Sequence, residues 1–221
     1  MAFDIETDGF DGPLLSIAAA GAGGDRVWMR GQAGDEDEDY ELHFDEASLL
    51  RAFLEHVRVV DPDILSGWNV VDFDLSYLEK RAAKLGVDFT LGRAGERARV
   101  LAPRNDRQPA IARVSGRVVL DGIATLRAAT YSFESFKLED VGHELLGRGK
   151  KIDHGGDALA EIQRLFAEDK PALAAYNLED CRLVCDIVEA ADLVGFAVER
   201  QALTGLPMDR QGGSVAAFDN L

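Results

Sequence analysis

The feature that most limits how this chain can fold is a set of four acidic residues inside apolar segments. Asp4 and Glu6 alternate with apolar residues near the N-terminus, Asp74 opens a helical pattern in the middle, and Asp180 lies in a late helical pattern. Burying a carboxylate is costly unless it binds a cation or a hydrogen-bond donor. Because the four residues come from distant segments, only a folded site can bring them together.

The first pair is predicted to lie on a strand. Residues two apart on a strand point to the same side, so Asp4 and Glu6 share one side while Phe3 and Ile5 face the core. Two adjacent carboxylates repel each other, and one is driven to protonate unless cations neutralise the pair. Alone, this pattern is a weak signal, because it also occurs by chance.

Asp74 ends the segment 67–74, which follows the short apolar stretch 64–65 and opens a helix. Open α/β sheets build their sites at such strand ends, which favours a functional role for this carboxylate. The alternative is ordinary helix-start chemistry, in which Asp72 or Asp74 interacts favourably with the helix dipole.

Asp180 lies one helical turn after Tyr176, so the two side chains share a helix face. That face continues through Leu173, Val184 and Ile187, which predicts that it is buried. A tyrosine hydroxyl one turn before a buried carboxylate is placed to hold a water molecule at the same spot. The alternative is structural, with Tyr176 packed in the core and a backbone group bound to Asp180.

Together, the four carboxylates predict a centre for divalent cations. Asp4, Glu6, Asp74 and Asp180 carry a charge of about −4, which two divalent ions balance, and hard oxygen ligands favour Mg²⁺ or Mn²⁺ over Zn²⁺. Two such ions about 3.5–4 Å apart stabilise the attacking and leaving oxygens of an in-line phosphoryl displacement. The sequence therefore points to phosphoryl-transfer chemistry.

The order of the predicted elements indicates the fold class. Short apolar stretches with strand character come first and then alternate with helical patterns, which favours an α/β fold with a mixed five-stranded sheet flanked by helices. We expect one domain over residues 1–200 and a tail over residues 201–221. The strand stretches centre on residues 3–5, 15–17, 27–29, 64–65 and 118–120.

The charge distribution limits how the chain can meet nucleic acid. With 24 basic against 40 acidic residues and a net charge of −16, it is not a passive DNA coater. The segment 93–117 is the exception, with seven arginines against two acids. We expect this segment to lie near a DNA path, with Arg104, Arg107 and Arg113 as contacts; the alternative is an ordinary solvated loop.

Three short motifs contain the acidic residues: FDIET at 3–7, GWNVVDFD at 67–74 and YNLED at 176–180. In this order they resemble the three exonuclease motifs of family B DNA polymerases, which belong to the DEDD exonuclease superfamily and have a ribonuclease H-like fold. Tyr176, four residues before Asp180, fits the tyrosine subtype. Three further segments are similar to the bacterial DNA polymerase II subfamily, namely 121–147, 166–173 and 205–217.

This resemblance implies 3′→5′ removal of nucleotides from single-stranded or frayed DNA 3′ ends in proofreading. The remaining polymerase domains would be partners, with the tail leading into the polymerase palm. Asp4, Glu6 and Asp180 would hold the first metal ion, Asp4 and Asp74 would serve the second, and Tyr176 would orient the attacking water. Thr7 and Asn69 are implied as substrate-binding residues. Phe73 is predicted to stack on terminal bases, and packing of its ring in the core is the alternative.

Two alternatives stay open: an exoribonuclease of the same fold, and an inert fragment that binds DNA or docks to polymerase domains. The N-terminus lacks the basic and apolar regions of a signal peptide, and no apolar run reaches the roughly 18–20 residues of a membrane span. Cys181 and Cys185 fit a helix with reduced thiols. These features predict a cytoplasmic protein without a membrane partner.

Overall fold

A computed structural model describes residues 1–102, 110–149 and 158–210 of the chain. The strands within these residues are β1 (Ala2–Thr7), β2 (Leu14–Ala20), β3 (Arg26–Arg30), β4 (Glu41–His43), β5 (Ile64–Gly67), β6 (Arg99–Leu101), β7 (Ile111–Arg113) and β8 (Val118–Asp121). The helices are α1 (Glu46–Val60), α2 (Ser76–Leu85), α3 (Gly122–Ala128), α4 (Leu138–Leu146), α5 (Ala158–Glu168), α6 (Lys170–Ala190) and α7 (Leu193–Thr204), with a π-helical turn at Val71–Leu75 and a 3₁₀ turn at Arg93–Gly95.

One mixed sheet organises the described part of the chain, with strand order β4-β3-β2-β1-β5-β8. β2 pairs antiparallel with both β1 and β3, whereas β5 runs parallel to both β1 and β8. β6 and β7 form a separate antiparallel ladder. The expected α/β architecture, a mixed sheet flanked by helices, is confirmed.

The sheet has six strands rather than the expected five. The additional strand is β4, which has three residues and pairs parallel to β3 at the edge of the sheet, placing Glu41 opposite Trp28. It is too short to show an apolar alternation, and its Glu41 and His43 are charged or titratable, as is common on edge strands. Sequence periodicity therefore could not reveal this strand.

The two sides of β1 face different layers of helices. Phe3 and Ile5 pack with residues of α1 and α2 in one core. On the opposite side, Ala18 and Ala20 of β2 pack with residues of α6 in a second core. Since Asp4 and Glu6 alternate with Phe3 and Ile5, they lie on the side that α6 covers.

The late helical pattern predicts one helix from Pro171 to about Ala197, whereas the structure has two helices there. α6 begins after Asp169, whose side chain accepts a hydrogen bond from the Ala172 amide, and it ends at Ala190. Asp192 has a left-handed φ of 45° and caps α7, which runs through the predicted boundary at residue 200 to Thr204. Residues 211–221, half of the predicted tail, lie outside the described residues. None of the described helices combines the length and apolar character needed to cross a membrane.

Candidate active site

Three of the predicted carboxylates meet where α6 crosses β1. Oxygen atoms of Asp4, Glu6 and Asp180 lie within 4.8 Å of one another. The first two come from β1 and the third from α6, so strand alternation and helix packing together create the cluster. Glu6 and Asp180 are buried and Asp4 is half-buried. This group of oxygen ligands is suited to a hard divalent cation.

Asp74 lies against the same strand but outside this three-residue group. Its side chain is 1% exposed, and its Oδ1 accepts a hydrogen bond of 3.2 Å from the backbone amide of Ile5, the residue between Asp4 and Glu6. Burial, and then the negative charge of Asp4, raise the pKa of the Asp74 carboxyl well above its ordinary value. A cation between the two carboxylates would remove this repulsion.

A π-helical turn places Asp74 at this point. In the turn Val71–Leu75, the amide of Leu75 donates to the carbonyl of Val70 at 2.8 Å, five residues back. Asn69, just before the turn, has a left-handed φ of 59°, a conformation that Asn adopts more readily than most residues. Single π turns are rare and are frequent at functional sites. The predicted helix start is therefore present, but with an irregular backbone.

Tyr176 is half-buried on α6, one turn before Asp180, and packs against the core of that layer. The next residue, Asn177, is completely buried, and its Nδ2 donates a 3.1 Å hydrogen bond to Oγ of Ser16. Ser16 lies directly opposite Glu6 in the β1–β2 register. This hydrogen bond ties α6 to the sheet beside the carboxylates, and Asn177 was not predicted.

A fourth buried acid, Asp121, ends β8 and was not predicted as a site residue. Its Oδ1 caps α3 through the Ala124 amide at 3.1 Å, and its Oδ2 accepts from the Val71 amide at 3.4 Å. Burial raises the pKa of this carboxyl. Asp121 thereby links the end of β8 to the turn that carries Asp74. An aspartate between a predicted strand and a predicted helix is the signal that could have identified it.

The predicted substrate-binding residues Thr7, Asn69 and Phe73 lie in or beside the segments that carry Glu6 and Asp74. Thr7 Oγ1 donates to the carbonyl of Gly9 at 3.0 Å and so stabilises the loop after β1. That loop presents Phe10, which is 85% exposed and contacts the ring of Phe73 edge-on, with centroids 6.2 Å apart. Phe10 was not predicted; an aromatic residue between the glycines of a turn was the available signal.

The structure describes only part of the arginine-rich segment. Arg104 and Arg107 lie outside the described residues, and Arg113 stands opposite Arg99 in the β6–β7 pair. Three other arginines have structural partners. Arg93 binds Asp61 and Asp63, Arg97 binds Asp88, and the buried Arg117 binds Asp61 and the carbonyls of Val57, Pro62 and Leu91.

The mixed sheet, its two helical layers and the buried carboxylates define a nuclease of the ribonuclease H-like class. Residues 34–141 match the family model described as "DNA polymerase family B, exonuclease domain". The chain therefore carries an exonuclease domain of the family B DNA polymerases, as its motifs predicted. This membership classes it with the 3′→5′ exonucleases, which are hydrolases.

Individual relatives agree with this family. The whole chain aligns with DNA polymerase II of Escherichia coli strain K12 at 42% identity over 225 residues, which are 29% of that protein. A DNA polymerase of Thermococcus kodakarensis is 30% identical over 85% of the chain and 11% of its own length. The DNA polymerase delta catalytic subunit of Caenorhabditis elegans is 28% identical over 74% of the chain and 16% of its own length. The chain thus spans less than a third of each of these relatives.

Proposed function

We propose that this chain removes nucleotides from the 3′ ends of DNA by hydrolysis that depends on divalent cations, as the proofreading part of a DNA polymerase II-like enzyme. The observation that carries the proposal is the cluster of Asp4, Glu6 and Asp180, whose oxygens lie within 4.8 Å of one another. Asp74, in contact with the strand that bears the first two, completes the set of four.

The donor set fits two Mg²⁺ or Mn²⁺ ions. All its ligand atoms are carboxylate oxygens, which suit hard divalent ions, whereas Zn²⁺ sites in proteins are built mainly with His and Cys. The raised pKa of Asp74 beside Asp4 is the expected property of acids that share cations. Asp4, Glu6 and Asp180 would hold the first ion, and Asp4 with Asp74 the second. When bound, such ions stabilise the attacking and leaving oxygens of an in-line phosphoryl displacement.

The protein's own groups supply orientation. The hydroxyl of Tyr176, one turn from Asp180 on α6, would hold the attacking water in line with the terminal phosphodiester. Asn177 and Ser16 keep that helix in register with β1. Such positioning supplies a large part of the rate enhancement in phosphoryl transfer, where the protein does little covalent chemistry.

The substrate in this proposal is a single-stranded or frayed DNA 3′ end. Thr7 and Asn69 would contact the terminal nucleotide, and the ring of Phe73 would stack on a base. Arg104, Arg107 and Arg113 stay proposed contacts further along the DNA. Residues 1–200 would form the nuclease domain and residues 201–221 the connection to the polymerase domains, in a cytoplasmic protein.

Degradation of a 5′-labelled single-stranded DNA in Mg²⁺ or Mn²⁺ tests the proposal. We expect ladder products from the native protein and a loss of at least about a hundredfold in kcat for Asp4→Ala and Asp180→Ala. Glu38→Gln, which removes an exposed acid from the loop before β4, is the matched control and should keep full activity. Equal activity of all four proteins would contradict the assignment.

Two further measurements address the two alternatives. A matched RNA oligonucleotide degraded faster than the DNA would indicate an exoribonuclease. Calorimetric titration with Mn²⁺ tests the alternative that the chain is an inert fragment. A degenerate site would not bind Mn²⁺ tightly, and Asp180→Ala would not change its Mn²⁺ affinity.

A further inference from the structure

Besides the carboxylate cluster, the chain has an open groove of about 540 Å³ between α2 and the loop that follows β1. The groove begins at Asn69 and Phe73, beside Asp74, and extends along α2. Its lining residues are Phe10, Asp11, Asn69, Asp72, Phe73, Ser76, Tyr77, Lys80, Arg81 and Lys84.

Three aromatic rings form one wall of this groove. Phe10 contacts Phe73 edge-on at 6.2 Å, and Phe73 in turn stacks on Tyr77 at 6.5 Å. The hydroxyl of Tyr77 donates to the carbonyl of Gly12 at 2.8 Å, which fixes the loop that carries Phe10. The ring of Phe10 is 85% exposed although its loop is fixed, so it does not contribute the stability that a buried ring would give. Rings presented in this way are the platforms on which bases of single strands stack.

Basic residues continue the groove along α2. Phe73, Tyr77, Lys80 and Lys84 are spaced by three or four residues and therefore share one helix face. Arg81 is neutralised by a two-point ion pair with Glu46. Lys80 and Lys84 are exposed, and neither forms an ion pair with an acid of the described residues.

Within the described residues, Lys80 and Lys84 are two basic side chains without an ion pair in a chain that is acidic overall. With a net charge of −16, the chain has many acidic side chains with which its lysines and arginines can form ion pairs. Several arginines elsewhere on the described surface are paired with acids, among them Arg58, Arg93 and Arg164. The acids that line the groove, Asp11 and Asp72, lie next to Phe10 and Phe73 in the sequence. Lys80 and Lys84 follow Asp72 by about two and three helical turns.

We propose that this groove binds the DNA strand that leads to the 3′ end, with bases against Phe10 and Phe73 and backbone phosphates on Lys80 and Lys84. The inference rests on the proposed exonuclease function. It places the part of the strand next to the active site along α2. Because α2 leads away from Asp74, the lysines contact nucleotides upstream of the one removed.

Binding of a fluorescent ten-nucleotide single-stranded DNA in EDTA tests the groove without requiring any catalysis. We expect Lys80→Ala/Lys84→Ala to weaken binding about tenfold at low salt and to lower the slope of log K against log salt by about 1.4, or about 0.7 for each phosphate contact. Phe10→Ala should weaken binding about tenfold through loss of stacking. The control is Arg51→Ala/Arg58→Ala on α1, which removes the same two charges from a separate exposed surface and should leave the slope unchanged.

A second measurement separates this inference from the function on which it rests. The ratio of kcat/KM for the decamer to that for a dinucleotide should fall about tenfold in the lysine variant. If the native protein binds through the lysines but cleaves nothing, the exonuclease proposal fails and the groove stands. If the native protein cleaves DNA but the lysine variant binds with the same salt slope as the α1 control, the groove assignment is wrong.

Discussion

At Asp74, burial and a neighbouring negative charge both disfavour the ionised carboxylate. Its carboxyl is fully buried and faces the charge of Asp4, and both effects raise its pKa. A carboxyl with a raised pKa in the folded state contributes stability that is complete below its ordinary pKa. That contribution is lost as the pH rises through the raised value.

Asp74→Asn is therefore expected to stabilise the protein in EDTA, by about 1 kcal/mol or about 3 °C in Tm at pH 8. The amide oxygen of Asn can still accept the hydrogen bond from Ile5, while the buried charge is absent. The gain should shrink as the pH falls towards 4. Circular dichroism melts across this pH range measure it, with Glu38→Gln as an exposed control; a variant less stable than the native protein at pH 8 would contradict the argument.

A second prediction concerns the hydrogen bond between Asn177 and Ser16. Asn177→Ala removes a buried hydrogen bond and should cost about 1–3 kcal/mol in free energy of unfolding. Ser16→Ala removes the other partner. Because the two side chains contact each other, the double variant should be less destabilised than the sum of the single variants, by about 0.5 kcal/mol or more. Urea unfolding of the four proteins measures this coupling, and strict additivity would exclude it.

Local spacing explains which site residues the sequence could predict. Asp4 with Glu6, and Tyr176 with Asp180, share a side because of strand and helix periods alone. Asn177 and Phe10 could not be found in this way. The role of Asn177 depends on the register of β2 against β1, and that of Phe10 on the ring of Phe73, contacts that only tertiary structure creates.

Among the elements, α1, α2 and β2 are joined by a single acid at the start of α1. Glu46 accepts two hydrogen bonds from Arg81 of α2 and one of 2.7 Å from the Leu14 amide of β2. Burial alone would raise the pKa of Glu46, but these hydrogen bonds prevail and hold it below its ordinary value. The stability it contributes is therefore present above the ordinary pKa of Glu and is lost as the pH falls through the lowered value.

Glu46→Gln should accordingly destabilise the protein by about 2 kcal/mol at pH 7, and by less as the pH falls below 4. Glu55→Gln on the same helix breaks an exposed pair with Arg58 and should leave the free energy of unfolding nearly unchanged, because solvent screens exposed pairs. Guanidinium unfolding at several pH values measures both variants. A penalty for Glu46→Gln that does not vary with pH would show that the charge is irrelevant.

Element prediction succeeded where apolar periodicity was strong and failed at short or irregular segments. The five predicted strands lie in the sheet because each has apolar residues to bury. The edge strand β4 has almost none, and the break between α6 and α7 is made by one left-handed residue, Asp192. Likewise, the π turn Val71–Leu75 differs from an ordinary helix start only in its hydrogen bonding, which apolar spacing does not specify.

At the scale of the whole molecule, the proposed cation centre joins the first strand of the chain, β1, to the late helix α6. Asp4 lies on the central part of the sheet and Asp180 on the helix that covers it. The overall charge of −16 includes these mutually repelling acids. Cations at the cluster would therefore hold β1 and α6 together, so binding and global stability are coupled.

We expect Mn²⁺ at about a hundred times its Kd to stabilise the native protein by about 2.7 kcal/mol, a rise of about 6 °C in Tm. Asp180→Ala should lose most of this rise, whereas Glu38→Gln should keep it. Calorimetric melts at constant ionic strength, balanced with NaCl, separate specific binding from general screening of the negative charge. An equal rise in the native protein and in Asp180→Ala would mean that Mn²⁺ acts only by screening, because a bound ion must depend on the helix that closes the cluster over β1.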